Sequence, residues 1–338
     1  MHPRIALDGA IVARNLRAWR DFAGVPVRPV IKCNGYNWGV RPLIAALDSF
    51  CDSYCVADCE ELLEARRFTN HPIVVLGNVP RSKLGTVLDA DGIPNVSSEA
   101  DLAAVLQWCE RSSRRPRLRV GVLPAAGFSG IDLAAIDEFA ASLAASQLEI
   151  EVWTHITDAT TTDQTCARVA QAVHSIRSPG GRVVGTDVSS TYALSRSGPL
   201  GTSVRVGIGL FGATGGTPVP GVRCALQVVA PVTSVQYHRA ETKVGYGPEK
   251  LGQDGHVVTA RCGYGDGLPK GLAGATDILS VGMQYVTMRP PYEPFNETHV
   301  ALLDEQSDLD AFAARAGQSA HEIVTAFGRA TTGELVSS

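Results

Sequence analysis

Lysine is nearly missing from this sequence: of 30 basic side chains only those at positions 32, 83, 243, 250 and 270 are lysines, so each can be weighed singly. A charge excess is also missing. Lys+Arg 30 stands against Asp+Glu 34, a formal net charge of -4, which excludes a nucleic-acid binder driven by phosphate neutralisation. No apolar run approaches the roughly 20 residues that span a bilayer. The start, MHPRIALDGAIVARNLRAW, puts charges early and an amphipathic pattern after them, unlike a signal peptide, so a cytoplasmic protein is expected. Eight cysteines are scattered without the paired CxxC spacing of a structural zinc site, and no metal is expected. Cys51, Cys55 and Cys59 fall four apart, but SYCVAD alternates like a strand and CEELLEARRF reads as a helix, so the three do not share a helical face.

What is present is length and alternation. At about 150 residues per domain, 338 residues suggest two domains with a full-sized enzyme core. From residue 8 to 215, short apolar runs alternate with helix-like stretches, the pattern of βα units around a parallel sheet. The strand candidates VRPVIK, SYCVAD, IVVLG, IPNVS, RLRVGVL, LEIEVWTHI, RVVGTD and VRVGIGLFG number eight, which closes a TIM-type barrel of eight strands and eight helices. The alternation breaks in the Gly/Pro-rich stretch GATGGTPVPG. Beyond it, residues 222–338 are β-rich without intervening helices, which predicts a mostly antiparallel second domain that residues 1–7 could join. The segment SDLDAFAARAGQSAHEIVTAFGR reads as a capped helix followed by a second, short helical piece.

Chemistry concentrates at Lys32, which ends the apolar run VRPVI and precedes CNGYNWG. A lysine at the C-terminal end of the first barrel strand faces the end where such barrels place their active sites. An isolated lysine there is more often a snorkelling strand terminator. The Asn-, Gly- and Tyr-rich turn that follows shifts the balance toward an amine able to form a Schiff base with a carbonyl cofactor.

VIKCNGYNWG resembles the cofactor-lysine motif of the alanine racemase family, pyridoxal-phosphate enzymes built from a barrel and a β domain. WTHITDATTTDQ is similar to the family strand that carries a histidine, VSSTYALSRSG to its serine segment, and VRVGIGLFG to its arginine segment. KVGYGPEKLG and RCGYGDGLPKG resemble its tyrosine segments. They occur in the family's order from residue 5 to about 290.

The resemblance implies a role for each matched residue. Lys32 would hold pyridoxal 5'-phosphate and, once freed, act as a base on one face of the substrate Cα. Tyr264, in GYGDG, would be the base on the opposite face, reaching in from the other subunit of a homodimer with shared active sites. A phenol, with an ordinary pKa of about 10, is a poor base unaided, and His155 would be its helping partner. Arg205 would face the ring nitrogen; because a guanidinium keeps its proton, it weakens the cofactor as an electron sink. Read without the resemblance, Arg205 is an arginine at a strand start, neutralised by a nearby carboxylate. Ser190, the backbone N–H groups of Gly207 and Ile208, and the Tyr36 hydroxyl would grip the phosphate.

The departures lie on the substrate side. Where the family commonly has an arginine for the substrate carboxylate, AAGFSG places Phe128. RLRVGVLP lacks the lysine that orients that arginine, GTDVSS lacks a ring-facing histidine near Thr186, and ILSVGMQYV puts Met283 and Gln284 where the family has Met-Asp. The resemblance thus implies an amino-acid racemase, and the departures imply a small-molecule amino-acid substrate other than free alanine, one with a larger or differently anchored group. Two alternatives stay open: a decarboxylase or Cα–Cβ lyase, because an apolar wall against a carboxylate favours its loss, and a cofactor-binding protein without turnover.

Overall fold

The computed structural model describes residues 2–125, 130–156, 159–246, 250–275, 277–292 and 295–331, and the backbone of 335–336. The chain opens on strand β1 (Arg4–Asp8), whose Asp8 carboxylate accepts from the N–H groups of Ala10 and Ile11 and so caps the helix Gly9–Ala23. Eight parallel strands follow: β2 (Val27–Pro29), β3 (Tyr54–Val56), β4 (Ile73–Val75), β5 (Gly92–Ile93), β6 (Arg117–Gly121), β7 (Glu149–Trp153), β8 (Arg182–Asp187) and β9 (Val204–Val206). Ladders join β3 to β4 and β5, β6 to β7 and β8, and β2 to β9. Single parallel bridges, Val30 with Cys55, Asn95 with Arg119 and Asp187 with Ser203, close the remaining seams into a ring. This is the TIM-type barrel expected from the eight apolar runs, with helices on its outside.

The connection through residues 212–220 leads to the antiparallel sheet of β10 (Leu226–His238), β11 (Gly255–Ala260), β12 (Ile278–Val281), β13 (Val286–Met288) and β14 (His299–Leu303). At its far edge β1 pairs antiparallel with β10, Leu7 opposite Leu226, and parallel with the final strand β15 (Leu335–Val336). Two helices precede that last strand, Leu309–Arg315 and Ala320–Ala330. The second is eleven residues rather than the short piece expected. A capping box, Ser319 with Glu322, starts it, and Ile323, Val324 and Phe327 bury one face. No helix among the described residues is long and apolar enough to cross a membrane.

Candidate active site

Directly after Lys32 the backbone turns left-handed over five consecutive residues: Cys33, Asn34, Gly35, Tyr36 and Asn37 all have φ between 48° and 67°. For the four that carry a Cβ this costs about 1–2 kcal/mol each, so the surroundings must enforce it. They do so with hydrogen bonds. The Glu61 carboxylate accepts from the N–H groups of Cys33 and Asn34, Gly35 donates to Ile31 at 2.9 Å, and Asn37 donates to Cys33 at 2.8 Å. The Asn37 amide and the Trp38 indole tie the turn to the second C-terminal helix, donating to the carbonyls of Thr325 and Val324 at 3.0 Å each. A side chain on Gly35 would also strike Leu43 at 2.8 Å.

This turn swings Tyr36 across the barrel mouth, where its ring lies 5.0 Å from that of Phe211 and its hydroxyl rests against Gly207. A Cβ on Gly207 would stand 2.2 Å from the Tyr36 oxygen, so only glycine leaves that approach open. The result is a cavity of about 360 Å³ at the C-terminal ends of the strands. Lys32, Tyr36, His155, Ser190, Arg205, Gly207 and Ile208, singled out on different stretches of sequence, all line it.

Their local settings differ in informative ways. Ser190 begins the helix Thr191–Ser197 without using its side chain as a cap, which leaves the hydroxyl available, whereas the neighbouring Ser189 hydroxyl is engaged with Gly198 and Leu200. Ile208 opens a short 3-10 turn, where a backbone N–H lacks an intrahelical acceptor. Gly207 differs from expectation, since its N–H donates to the Thr191 hydroxyl at 3.2 Å and is already engaged. Arg205 does have the neutralising carboxylate: its Nε donates to Asp187 at 2.8 Å and its Nη2 to the Thr154 carbonyl at 2.6 Å. It lines the cavity nonetheless.

Among the lining residues that were not foreseen are Thr191, Tyr192, Arg196 and His321. His321 comes from the second residue of the C-terminal helix, with its ring 6.1 Å from Tyr36 and 6.0 Å from Tyr192. Its only signal in the sequence is a polar residue following a capping serine. Burial, with the Lys32 ammonium nearby, pushes His321 below the ordinary histidine range. Burial, with the cations Arg205 and Lys32, pushes His155 down to about 4, so both imidazoles are neutral near pH 7. Burial moves the phenols the other way, Tyr36 well above its ordinary value and Tyr192 to about 12, and both remain hydrogen-bond donors. No carboxylate lines the cavity among the described residues, while Lys32, Arg196 and Arg205 do. The chamber therefore suits an anion flanked by neutral donors.

Tyr264, Met283 and Gln284 do not line this cavity. They form one cluster on the β domain, where Tyr264 donates its N–H to Gly282 at 3.0 Å and Gly265 to Met283 at 2.9 Å. Tyr264 is 38% exposed and Met283 60%. Phe128 lies outside the described residues.

A closed parallel barrel with a lysine, two neutral histidines and a row of hydroxyl donors at its C-terminal mouth is the build of an enzyme acting on small molecules. Comparison with known proteins narrows this. The profile for the alanine racemase N-terminal domain matches residues 7–215, and that for the alanine racemase C-terminal domain matches residues 225–333. The chain belongs to the alanine racemase family. It is 27% identical to the alanine racemase of Acidiphilium cryptum (strain JF-5), covering 97% of each chain, and 27% identical to that of Methylobacterium sp. (strain 4-46), covering 95% of this chain and 96% of the relative. Among solved structures it superposes on alanine racemase from Bartonella henselae with covalently bound pyridoxal phosphate (TM-score 0.81, 18% identity, 98% of each chain). The biosynthetic alanine racemase from Pseudomonas aeruginosa gives a TM-score of 0.80 at 20% identity over 98% of each chain.

Proposed function

We propose that the chain is a pyridoxal-phosphate-dependent amino-acid racemase that uses Lys32 and Tyr264 as its two bases. The carrying observation is the cavity itself, where Lys32, Arg205 and neutral donors converge with no carboxylate among the described residues. The residues fit the cofactor. The Gly207 cradle beneath the Tyr36 hydroxyl, the uncommitted Ser190 hydroxyl and the first N–H of the 3-10 turn at Ile208 suit a phosphate, and Lys32 supplies the amine. Pyridoxal phosphate, when bound, supplies the electron sink that makes a Cα proton removable.

The chain's own groups do the rest. Lys32 takes or returns a proton on one face of Cα. Arg205, anchored by Asp187, presents a donor that keeps its proton. His155, neutral near pH 7, keeps one ring N–H that can donate to a phenolate oxygen and so favour the phenolate that Tyr264 needs. Because Tyr264 sits with Met283 and Gln284 on an exposed face, a second copy of the chain is required to bring it to Lys32. The exposed side chains of Tyr246, Met283 and Tyr285 on the β domain support a homodimer face there. The two units are residues 8–215 and 222–338, the pairing of β1 with β10 supports residues 1–7 as part of the second, and the eight free cysteines suit a reducing cytoplasm. The substrate is an amino acid other than free alanine, a reading supported by AAGFSG and Gln284 in place of the usual carboxylate-binding residues.

Borohydride reduction of the cofactor-loaded chain, followed by peptide mass mapping, tests the reading. A pyridoxyl group on Lys32 and α-deuterium exchange from an amino acid are expected. A chain that leaves Lys32 unmodified overturns it. Carbon dioxide release without α-exchange would favour decarboxylation instead.

A further inference from the structure

Five charged side chains meet inside the barrel, one from each of five strands: Arg28 on β2, Arg119 on β6, Glu151 on β7, Asp187 on β8 and Arg205 on β9. All are at least nine-tenths buried. Arg28 forks onto Glu151 with two bonds of 2.6 Å, and Arg119 donates to Glu151 at 2.8 Å. Asp187 is shared: one oxygen accepts from Arg119 at 2.6 Å, the other from Arg205 at 2.8 Å. Arg119 and Arg205 both lie over the Trp153 ring, at 4.8 and 5.5 Å.

The charges do not balance. Three guanidiniums face two carboxylates, and the Nη1 of Arg119 has no hydrogen-bond partner among the described residues. Cys55, buried beside them, is pushed up to about 12 by burial and stays a neutral thiol. Against the pull of desolvation, the charges of Arg119 and Arg28 and their bonds hold Glu151 down to about 2, so this carboxylate carries its charge. A buried cation without its own counter-ion opposes folding, and an apolar side chain of similar volume would not. A group that costs stability beside a reactive cavity calls for a role there.

We propose that Arg119 is a positioning residue for Arg205: through the Asp187 carboxylate they share, it aims the Arg205 guanidinium into the cavity, and its unmatched charge keeps a basic nitrogen presented to Arg205 unprotonated. This rests on the reading that pyridoxal phosphate occupies the cavity. Arg205 has Nε committed to Asp187 and Nη2 to Thr154, so Nη1 is the nitrogen left to meet a ligand. The excess charge also makes any additional proton in the chamber harder to hold.

The pH midpoint of the visible absorption band of the cofactor-loaded full chain reads this directly. Arg119→Met removes the surplus and should raise the midpoint by about one pH unit, the Coulomb effect of one charge several ångströms away. Asp187→Asn enlarges the surplus and should lower it, while Arg119→Lys should hold the wild-type value. Opposite shifts are the signature, because damaged packing has no reason to change sign. Should Arg119→Met fail to fold, Asp187→Asn and the isosteric Glu151→Gln, each expected to lower the midpoint, carry the test. A midpoint unmoved in these variants, raised by Asp187→Asn or Glu151→Gln, or lowered by Arg119→Met, overturns the inference alone. A wild-type chain whose Lys32 takes no pyridoxyl group overturns the cofactor reading and this inference with it.

Discussion

The hydroxyl oxygen of Tyr36 and the α-carbon of Gly207 meet so closely that a single methyl group between them would stand 2.2 Å from the oxygen. Gly207→Ala sets that methyl group against the Tyr36 oxygen and so probes the phosphate cradle. Expected is at least a tenfold loss in affinity for pyridoxal phosphate by spectrophotometric titration, with stability of the unloaded chain changed by only about 1 kcal/mol. An unaltered affinity would show that the Tyr36 hydroxyl takes no part in holding the cofactor.

Acid should weaken the fold through His155. Its folded value of about 4 lies below the ordinary 6.5, so between these pH values the unfolded chain binds the extra proton. Stability is then fully present above about pH 6.5 and falls as pH drops toward 4, by up to about 3 kcal/mol. His321, shifted in the same direction, adds to the loss. Urea unfolding from pH 8 to 4.5 should show a shallower decline for His155→Gln than for the wild type. Parallel curves would refute the assignment.

Glu61 holds the strained turn from behind. One oxygen accepts from Cys33 and Asn34, and the other accepts from Ala57 at 2.7 Å. Glu61→Ala strips three backbone N–H groups of their acceptor and should destabilise the chain by about 1–3 kcal/mol. Amide exchange at Cys33 and Asn34 should quicken and pyridoxylation of Lys32 should slow. If exchange at those two amides stays as slow as before, the turn is held by something else.

The proposed sharing of active sites between two subunits predicts complementation. Lys32→Ala and Tyr264→Phe chains, each deficient in racemisation alone, should on mixing form heterodimers in which one of two sites is intact. Random pairing makes half the dimers mixed, so activity should return to about a quarter of the wild type. Sedimentation of the mixture checks that exchange occurred. Dimers that exchange subunits yet stay inactive would place Lys32 and Tyr264 of one site on the same chain.

Much of this arrangement was readable from residue order, and the reason is physical. VRPVI, IVVLG and their counterparts are short apolar runs, as strands buried on both faces must be, and Lys32 ends one of them at the face where barrels do chemistry. The barrel floor was not readable. Arg28, Arg119, Glu151, Asp187 and Arg205 each look like a stray charge in an apolar strand, and only closure of the ring brings five such strays together. His321 escaped notice for a related reason, since its place at the cavity depends on the docking of its helix against the turn at Asn37 and Trp38. Arg205 shows both lessons at once: the carboxylate expected from strand chemistry alone is there, and the side chain still faces the cavity.

The pairing of β1 with β10 also sets a timetable. As the chain leaves the ribosome, Ile5, Ala6 and Leu7 emerge ahead of the barrel, yet their partners Val228, Gln227 and Leu226 follow only after every strand of the barrel has been made. Through that interval an apolar strand edge waits unpaired, open to capture by another nascent chain or by a chaperone. Placing β1 directly after β15 and opening the chain within residues 212–220 would make β1 local to its sheet, and such a permuted protein should refold faster with less aggregation.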